Sequence, residues 1–249
     1  MIELRADTTF NTSFRVPSLP RSILGRRCST IGLMRGVLSG LAGRARMLRR
    51  ELRFAVQLRV LPPRVALFQW RARRLATKMD DRFGPVSATR PPKLAVLLSL
   101  AKDRHYVAEL GTATGWTAIS LLIADPRREV VSYDPFERRE PHVYLDLVGP
   151  SVRDRLTLVL ARGDTGPQLD RPVELLYVDS AHNCADTIRE LEAWRPVLPE
   201  GAVVVLDDFT HPEFPGVKDA VQQLGLTGEL REGLFVHRVS GRSATQKER

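Results

Sequence analysis

Only two cysteines, Cys28 and Cys184, occur in 249 residues. They provide no disulfide framework and no metal-ligand spacing, which points to a reducing, cytoplasmic compartment. No run of 18 apolar residues is present, so the sequence offers no transmembrane helix. Aromatic residues make up 6% of the chain, too few for the stacked surfaces that hold single-stranded nucleic acid. Acidic residues are missing between Asp7 and Glu51, and that gap reveals a division. Residues 1–90 hold 19 Lys and Arg against 5 Asp and Glu, a net of +14, while residues 91–249 hold 19 against 24, a net of −5. The overall +9 conceals two segments with different jobs.

What is present, 43% hydrophobic and 27% charged residues, describes an ordinary globular chain long enough to bury a full core. Residues 1–30 mix Thr, Ser, Pro and Arg without a period and are expected to be a basic flexible arm. From Ile31 to Leu61 the pattern turns helical: Leu41, Ala45, Leu48, Leu52, Ala55 and Val56 recur at three- and four-residue steps among arginines. Pro62-Pro63 stops this helix, and a second is expected over Val65–Met79. Arg82–Pro92, rich in Gly and Pro, reads as a linker or a loop over a site. Residues 31–90 are thus expected to form a helical basic segment serving as lid or oligomer contact. A basic amphipathic helix also suits peripheral contact with an anionic membrane.

Beyond Pro91 the rhythm alternates. Helices are expected over Lys93–Lys102, Trp116–Ala124, Ala185–Trp194 and Val217–Leu224. Strands are expected over Tyr106–Leu110, Glu129–Tyr133, Leu156–Leu160, Val173–Val178, Ala202–Leu206 and Leu234–Val239. Such alternation argues for an α/β fold, a mostly parallel sheet with helices on both faces. This domain spans 91–240, followed by a polar tail at 241–249.

The first strand ends Glu109-Leu110-Gly111, and Gly115 opens the next helix. Tight strand-to-helix turns need glycine where the backbone bends sharply or meets a ligand. A dinucleotide fingerprint would want glycine at 113 and 116, where Ala113 and Trp116 stand, so a nicotinamide cofactor is disfavoured. Ligands of such sheets sit at the carboxyl ends of the strands. There the chain places Asp134, then Gly163-Asp164, then Asp179 with His182, then Asp207-Asp208. Asp179 is expected to face Asp207 and Asp208 from the neighbouring strand, and carboxylates that close repel unless a cation sits among them.

The stretch ELGTATGWTAISLL resembles the first motif of class I S-adenosylmethionine-dependent methyltransferases, particularly catechol-type O-methyltransferases. The likeness continues to Val239 and implies a Rossmann-like seven-stranded mostly parallel sheet. It also implies that Glu109, Gly111, Thr112, Gly115, Asp134, Gly163, Asp164 and Asp179 bind S-adenosyl-L-methionine. Asp134 would take the ribose hydroxyls, and the Gly163-Asp164 turn would read the adenine edge. The 28-residue step from Asp179 to Asp207 is similar to that of metal-dependent relatives, so Asp179, Asp207 and Asp208 are expected to hold Mg²⁺ or Mn²⁺. His182 stands where those relatives place a lysine base, as in enzymes that methylate sugar hydroxyls of macrolides, and is expected to be the general base. DSAHNCADTIRELEAWRPVLPEGAVVVLDDF also resembles the broad family with a DGDHxYEG-type turn, not all of which need metal. Trp116 is expected to pack on the adenine side, and Cys184 to be a small buried residue. The resemblance implies a homo-oligomer acting on the hydroxyl of a small molecule. Nucleic-acid methylation by way of the basic segment is the rival, but the strand end Asp179-Ser180-Ala181-His182 lacks the Pro-Pro-aromatic motif used on base amines. A non-catalytic cofactor-binding scaffold is the other alternative.

Overall fold

The computed structural model describes residues 49–168 and 171–241. The arm at 1–30, the first part of the helical segment expected from Ile31, and nearly all of the tail lie outside the described residues. Residues 49–57 are helical and lead through a turn at Leu58–Val60 to the proline pair. The elements that follow are α1 (Pro63–Met79), α2 (Gly84–Ser87), α3 (Pro91–Leu100), β1 (Tyr106–Leu110), α4 (Trp116–Ala124), β2 (Glu129–Asp134), α5 (Glu140–Leu145) and α6 (Pro150–Arg153). Then come β3 (Leu156–Leu160), β4 (Leu175–Val178), α7 (Cys184–Trp194), β5 (Val203–Leu206), α8 (Pro215–Gln223), β6 (Glu229–Arg231) and β7 (Leu234–Arg238).

Seven strands form one sheet in the order β3-β2-β1-β4-β5-β7-β6. The first five in chain order pair parallel, and β7 joins β5 and β6 antiparallel. The order reverses between β1 and β4, which opens a crevice at their carboxyl ends. Successive residues of a strand point to opposite faces, and the cores divide accordingly. Val107, Val130, Leu175 and Val205 pack with Val65 and Phe68 of α1, Leu94 and Leu97 of α3, and Ile119 and Leu122 of α4. Ala108, Val131, Leu176 and Val204 pack with Leu191 and Trp194 of α7 and Val217 and Val221 of α8. Because α1 shares the first of these cores, the described part of the basic segment is built into the sheet domain.

Three helix starts and one strand differ from expectation for identifiable reasons. The prolines at 63, 91 and 215 begin helices instead of preceding them, since the first turn has no N–H to lose and proline's fixed φ suits it. The strand β6 is exposed at every residue, so it shows no apolar alternation; its Glu and Arg suit a sheet edge. Buried Arg128 donates to the carbonyls of Leu121 at 2.6 Å and Arg104 at 3.0 Å, and to Ala101. It thereby satisfies chain ends of α3 and α4 that would otherwise be orphaned.

Candidate active site

The turn after β1 is held by its neighbours on both sides. Gly111 donates to the Tyr133 carbonyl at 2.8 Å, and Asp179 N–H donates to the Leu110 carbonyl at 2.8 Å. Gly111 has φ +101°, and a Cβ there would lie 2.0 Å from the carbonyl oxygen of Asp179. Gly115, at φ +80°, forms the N-cap of α4. Between them Ala113 adopts φ +47°, and its N–H donates to Asp134 Oδ2 at 2.8 Å. The other oxygen, Oδ1, accepts the N–H of Phe136 at 2.9 Å. Asp134 therefore ties the glycine turn to the end of β2 while its remaining lone pairs face the cleft.

The ends of β4 and β5 bring acids together around a base that sequence reasoning missed. Lys93, in the first turn of α3, bonds Asp207 Oδ1 and lies 3.3 Å from Asp208 Oδ1. Burial alone would lower the Lys93 ammonium, but the two carboxylates more than offset this and raise it. The Tyr177 hydroxyl stands 2.5 Å from Asp207 Oδ2 and 3.2 Å from Asp179 Oδ2, and itself lies 3.0 Å from the Thr89 hydroxyl. Burial, and then the charges of Asp207 and Asp208, push Asp179 well above the usual carboxylate range.

His182 immediately precedes Asn183, whose side chain caps α7 by accepting the N–H of Asp186 at 2.9 Å. The cap leaves His182 at φ +54°, and Asp208 stands at φ +53°. These are left-handed conformations that non-glycine residues adopt at a cost, typically where a side chain must be aimed. His182 Nε2 lies 3.6 Å from Asp179 Oδ1 and 4.0 Å from Asp208 Oδ2. The ring stacks on Phe214 with centroids 4.7 Å apart, and burial lowers the imidazole below its ordinary value.

These groups line one cleft of about 770 Å³ that also runs past Gly111, Asp134 and Gly163, large enough for a cofactor with an acceptor. The segment read as a linker or a loop over a site contributes Phe83 and the residues from Val86 to Arg90 to the cleft wall. It is anchored by Asp81, which accepts the N–H groups of Phe83 and Gly84 at 2.9 and 2.8 Å and the Tyr144 hydroxyl at 2.5 Å.

Residues 108–209 match the family model of a methyltransferase domain. Over those residues the chain is similar to that family. Solved structures place its fold in the same class. The O-methyltransferase TomG from Streptomyces achromogenes, solved in complex with SAM, aligns at TM-score 0.53 and 20% identity over 72% of this chain and 91% of its own. A methyltransferase from Geobacter sulfurreducens aligns at 0.54 and 15% over 76% and 96%. No curated protein matches the sequence.

Of the residues singled out from sequence, Gly111, Asp134, Gly163, Asp179, His182, Asp207 and Asp208 line the cleft. Glu109, Thr112, Gly115 and Asp164 are not part of its lining. Thr112 lies 2.7 Å from the Ser132 hydroxyl, and Asp164 turns outward to Arg162 and Arg189. Trp116, expected to pack on the adenine side, makes edge contacts with Phe68 and Tyr144 and is not part of the cleft lining. Cys184 is partly exposed at the start of α7, not buried. Among the described residues, the group whose ligand atoms converge for a cation is Asp179, His182 and Asp208. Asp207 departs from the expected set because Lys93 and Tyr177 occupy its oxygens.

Glu109 lies fully inside the sheet and, among the described residues, its one side-chain partner is the Ser132 hydroxyl. Burial raises its carboxyl from 4.5 to about 8. The folded state therefore keeps a proton that the unfolded chain loses, so stability falls as pH rises from about 4.5 to about 8. Glu109→Gln is expected to remove this dependence and raise the melting temperature more at pH 8.5 than at pH 5. Each kcal/mol recovered is worth roughly 2–4 °C in a chain of this size. Equal shifts at the two pH values would count against a neutral buried carboxyl.

Proposed function

We propose that this methyltransferase carries a methyl group from S-adenosyl-L-methionine to a hydroxyl of a small molecule, with a divalent cation held by Asp179, His182 and Asp208. One observation carries the reading. Asp179 Oδ1, Asp208 Oδ2 and His182 Nε2 converge within 4.8 Å of one another, in a cleft continuous with the glycine turn and Asp134. Lys93 sets one positive charge against Asp207 and Asp208, which leaves the three carboxylates an excess of negative charge for a divalent ion to neutralise. Two carboxylates with an imidazole suit Mn²⁺ better than Mg²⁺, whose preference is for oxygen alone. A cation there would lower the pKa of an acceptor hydroxyl.

The chain's own residues do the remaining work. The glycine turn lets the backbone approach the cofactor's amino-acid end, and Asp134 offers acceptor lone pairs to the ribose hydroxyls. Phe83, Val86 and Phe214 wall the cleft against water, which holds an acceptor oxygen in line with the methyl group. The nitrogen of His182 that faces Asp179 and Asp208 cannot both hold an ion and take a proton. The base role expected for His182 therefore passes to His211, the other imidazole lining the cleft, which stacks on the same Phe214 at 4.7 Å.

Calorimetry with S-adenosyl-L-methionine, with and without Mn²⁺, tests the reading, followed by a one-methyl mass-shift screen of cell extract. Asp134→Ala is expected to weaken cofactor binding by about 1–3 kcal/mol. It should also lower the melting temperature, since Ala113 and Phe136 lose their acceptor. Unchanged affinity in the folded variant would remove Asp134 from the cofactor site.

A further inference from the structure

The turn after β3 is where an acid is expected to meet adenine, yet its acid is committed elsewhere. Asp164 accepts two bonds from Arg162, at 3.0 and 2.9 Å, and one from Arg189 at 3.2 Å, and it is absent from the cleft wall. A different carboxyl occupies the space behind Gly163. Glu190, in the middle of α7, is 4% exposed, and the little surface it keeps forms part of the cleft wall. Its Oε2 accepts the Ser180 hydroxyl at 2.6 Å, and among the described residues no donor reaches Oε1.

Buried carboxylates are ordinarily paired with a cation or fully hydrogen-bonded. The two nearby guanidiniums, of Arg162 and Arg189, are instead turned onto Asp164 and Asp186. Gly163 is what leaves Glu190 its place, since a Cβ there would lie 2.7 Å from Oε1. Ser180 belongs to the same loop as Asp179 and His182, so Glu190 is fastened to the wall of the cofactor cleft and not to the protein exterior.

We propose that Glu190, in place of Asp164, reads the Watson–Crick edge of the cofactor's adenine, an inference that rests on the S-adenosyl-L-methionine reading above. That edge presents an N6 amine, which donates, beside N1, which accepts. A protonated carboxyl matches it with both oxygens, accepting from N6 and donating to N1. A side chain balanced near neutrality suits this role, and burial pushes Glu190 up to about 7. The neighbouring charges are Asp164 and Arg162 from the turn after β3, and Asp186 and Arg189 on α7 itself.

The test uses the whole protein and two ligands, S-adenosylhomocysteine and its 6-deamino purine analogue, titrated by calorimetry. Wild type is expected to bind the deamino analogue about tenfold more weakly, the worth of one hydrogen bond to a partly charged group. Glu190→Leu is expected to bind both ligands equally, and Glu190→Gln, which presents a carbonyl and an amide in the same places, to keep the preference. A variant that only loosened the fold would weaken both ligands in parallel and leave their ratio unchanged. Equal binding of the two ligands by wild type would overturn the assignment, whatever the variants do. So would a preference that survives intact in Glu190→Leu. Binding of neither ligand by wild type would overturn the cofactor reading itself, and this inference with it.

Discussion

Alanine at Asp208 or His182 is expected to abolish Mn²⁺ binding by calorimetry and to lower turnover by about 10²–10⁴, the range lost with a positioned activating group. The acceptor for that assay is the one found in the mass-shift screen. Chelator should reproduce the loss in wild type, and Mn²⁺ should restore it. Asp207→Ala is the informative contrast. Asp207 is 4% exposed and paired with Lys93, so its removal leaves the ammonium only its longer contact with Asp208 at 3.3 Å and should cost up to about 3–5 kcal/mol of stability. If Asp207→Ala lost the ion while Asp208→Ala kept it, the assignment of ligands would be reversed. Full turnover in chelator would sink the cation while leaving the fold and cofactor readings intact. Retained Mn²⁺ affinity in an inactive His182→Ala would return the base role to His182.

Gly111→Val is expected to eliminate cofactor binding, and the structure supplies a reason different from crowding the ligand. The residue sits at φ +101°, and its Cβ would meet the Asp179 backbone, which is held in register by its bond to Leu110. Either β1 and β4 separate or the loop carrying Asp179 shifts. Backbone strain and overpacking together should cost about 2–5 kcal/mol. Gly111→Ala should already show most of the effect, because the clash begins at Cβ. A Gly111→Ala variant with wild-type melting temperature and wild-type calorimetry would show that the turn relaxes freely.

The parallel sheet was readable because β1, β4 and β5 are buried on both faces, while β3, an edge strand, is still a largely apolar run; β1, α4 and β3 fall at their expected bounds. The residues at strand ends were readable for a related reason, since a parallel sheet gathers its carboxyl ends along one edge. Lys93 was hidden because nothing in its local pattern distinguishes it. Its role depends on α3 crossing the ends of β4 and β5, a contact spanning 114 residues. Once Lys93 is placed, the proposed ligand set loses Asp207 and gains His182. Glu190 was hidden in the same way, as one acid among several in Arg189-Glu190-Leu191-Glu192. Only packing against Gly163 and Ser180 separates it from its solvated neighbours. Helix starts at 91 and 215 were displaced because proline was read as a barrier before the helix and not as its first residue.

The strand carrying Asp207 and Asp208 lies between β4 and β7, and β7 is the last strand in chain order. A polypeptide leaving the ribosome therefore completes β3, β2, β1 and β4, with their glycine turn and Asp134, while β5 still lacks one neighbour. Until Leu234–Arg238 emerges, Val203–Leu206 forms an open edge, apolar on both faces, of the kind that invites pairing with other chains. Nascent molecules thus pass through a stage in which Asp207 and Asp208 follow a strand supported on one side alone. A chain truncated before Leu234 would keep that edge open.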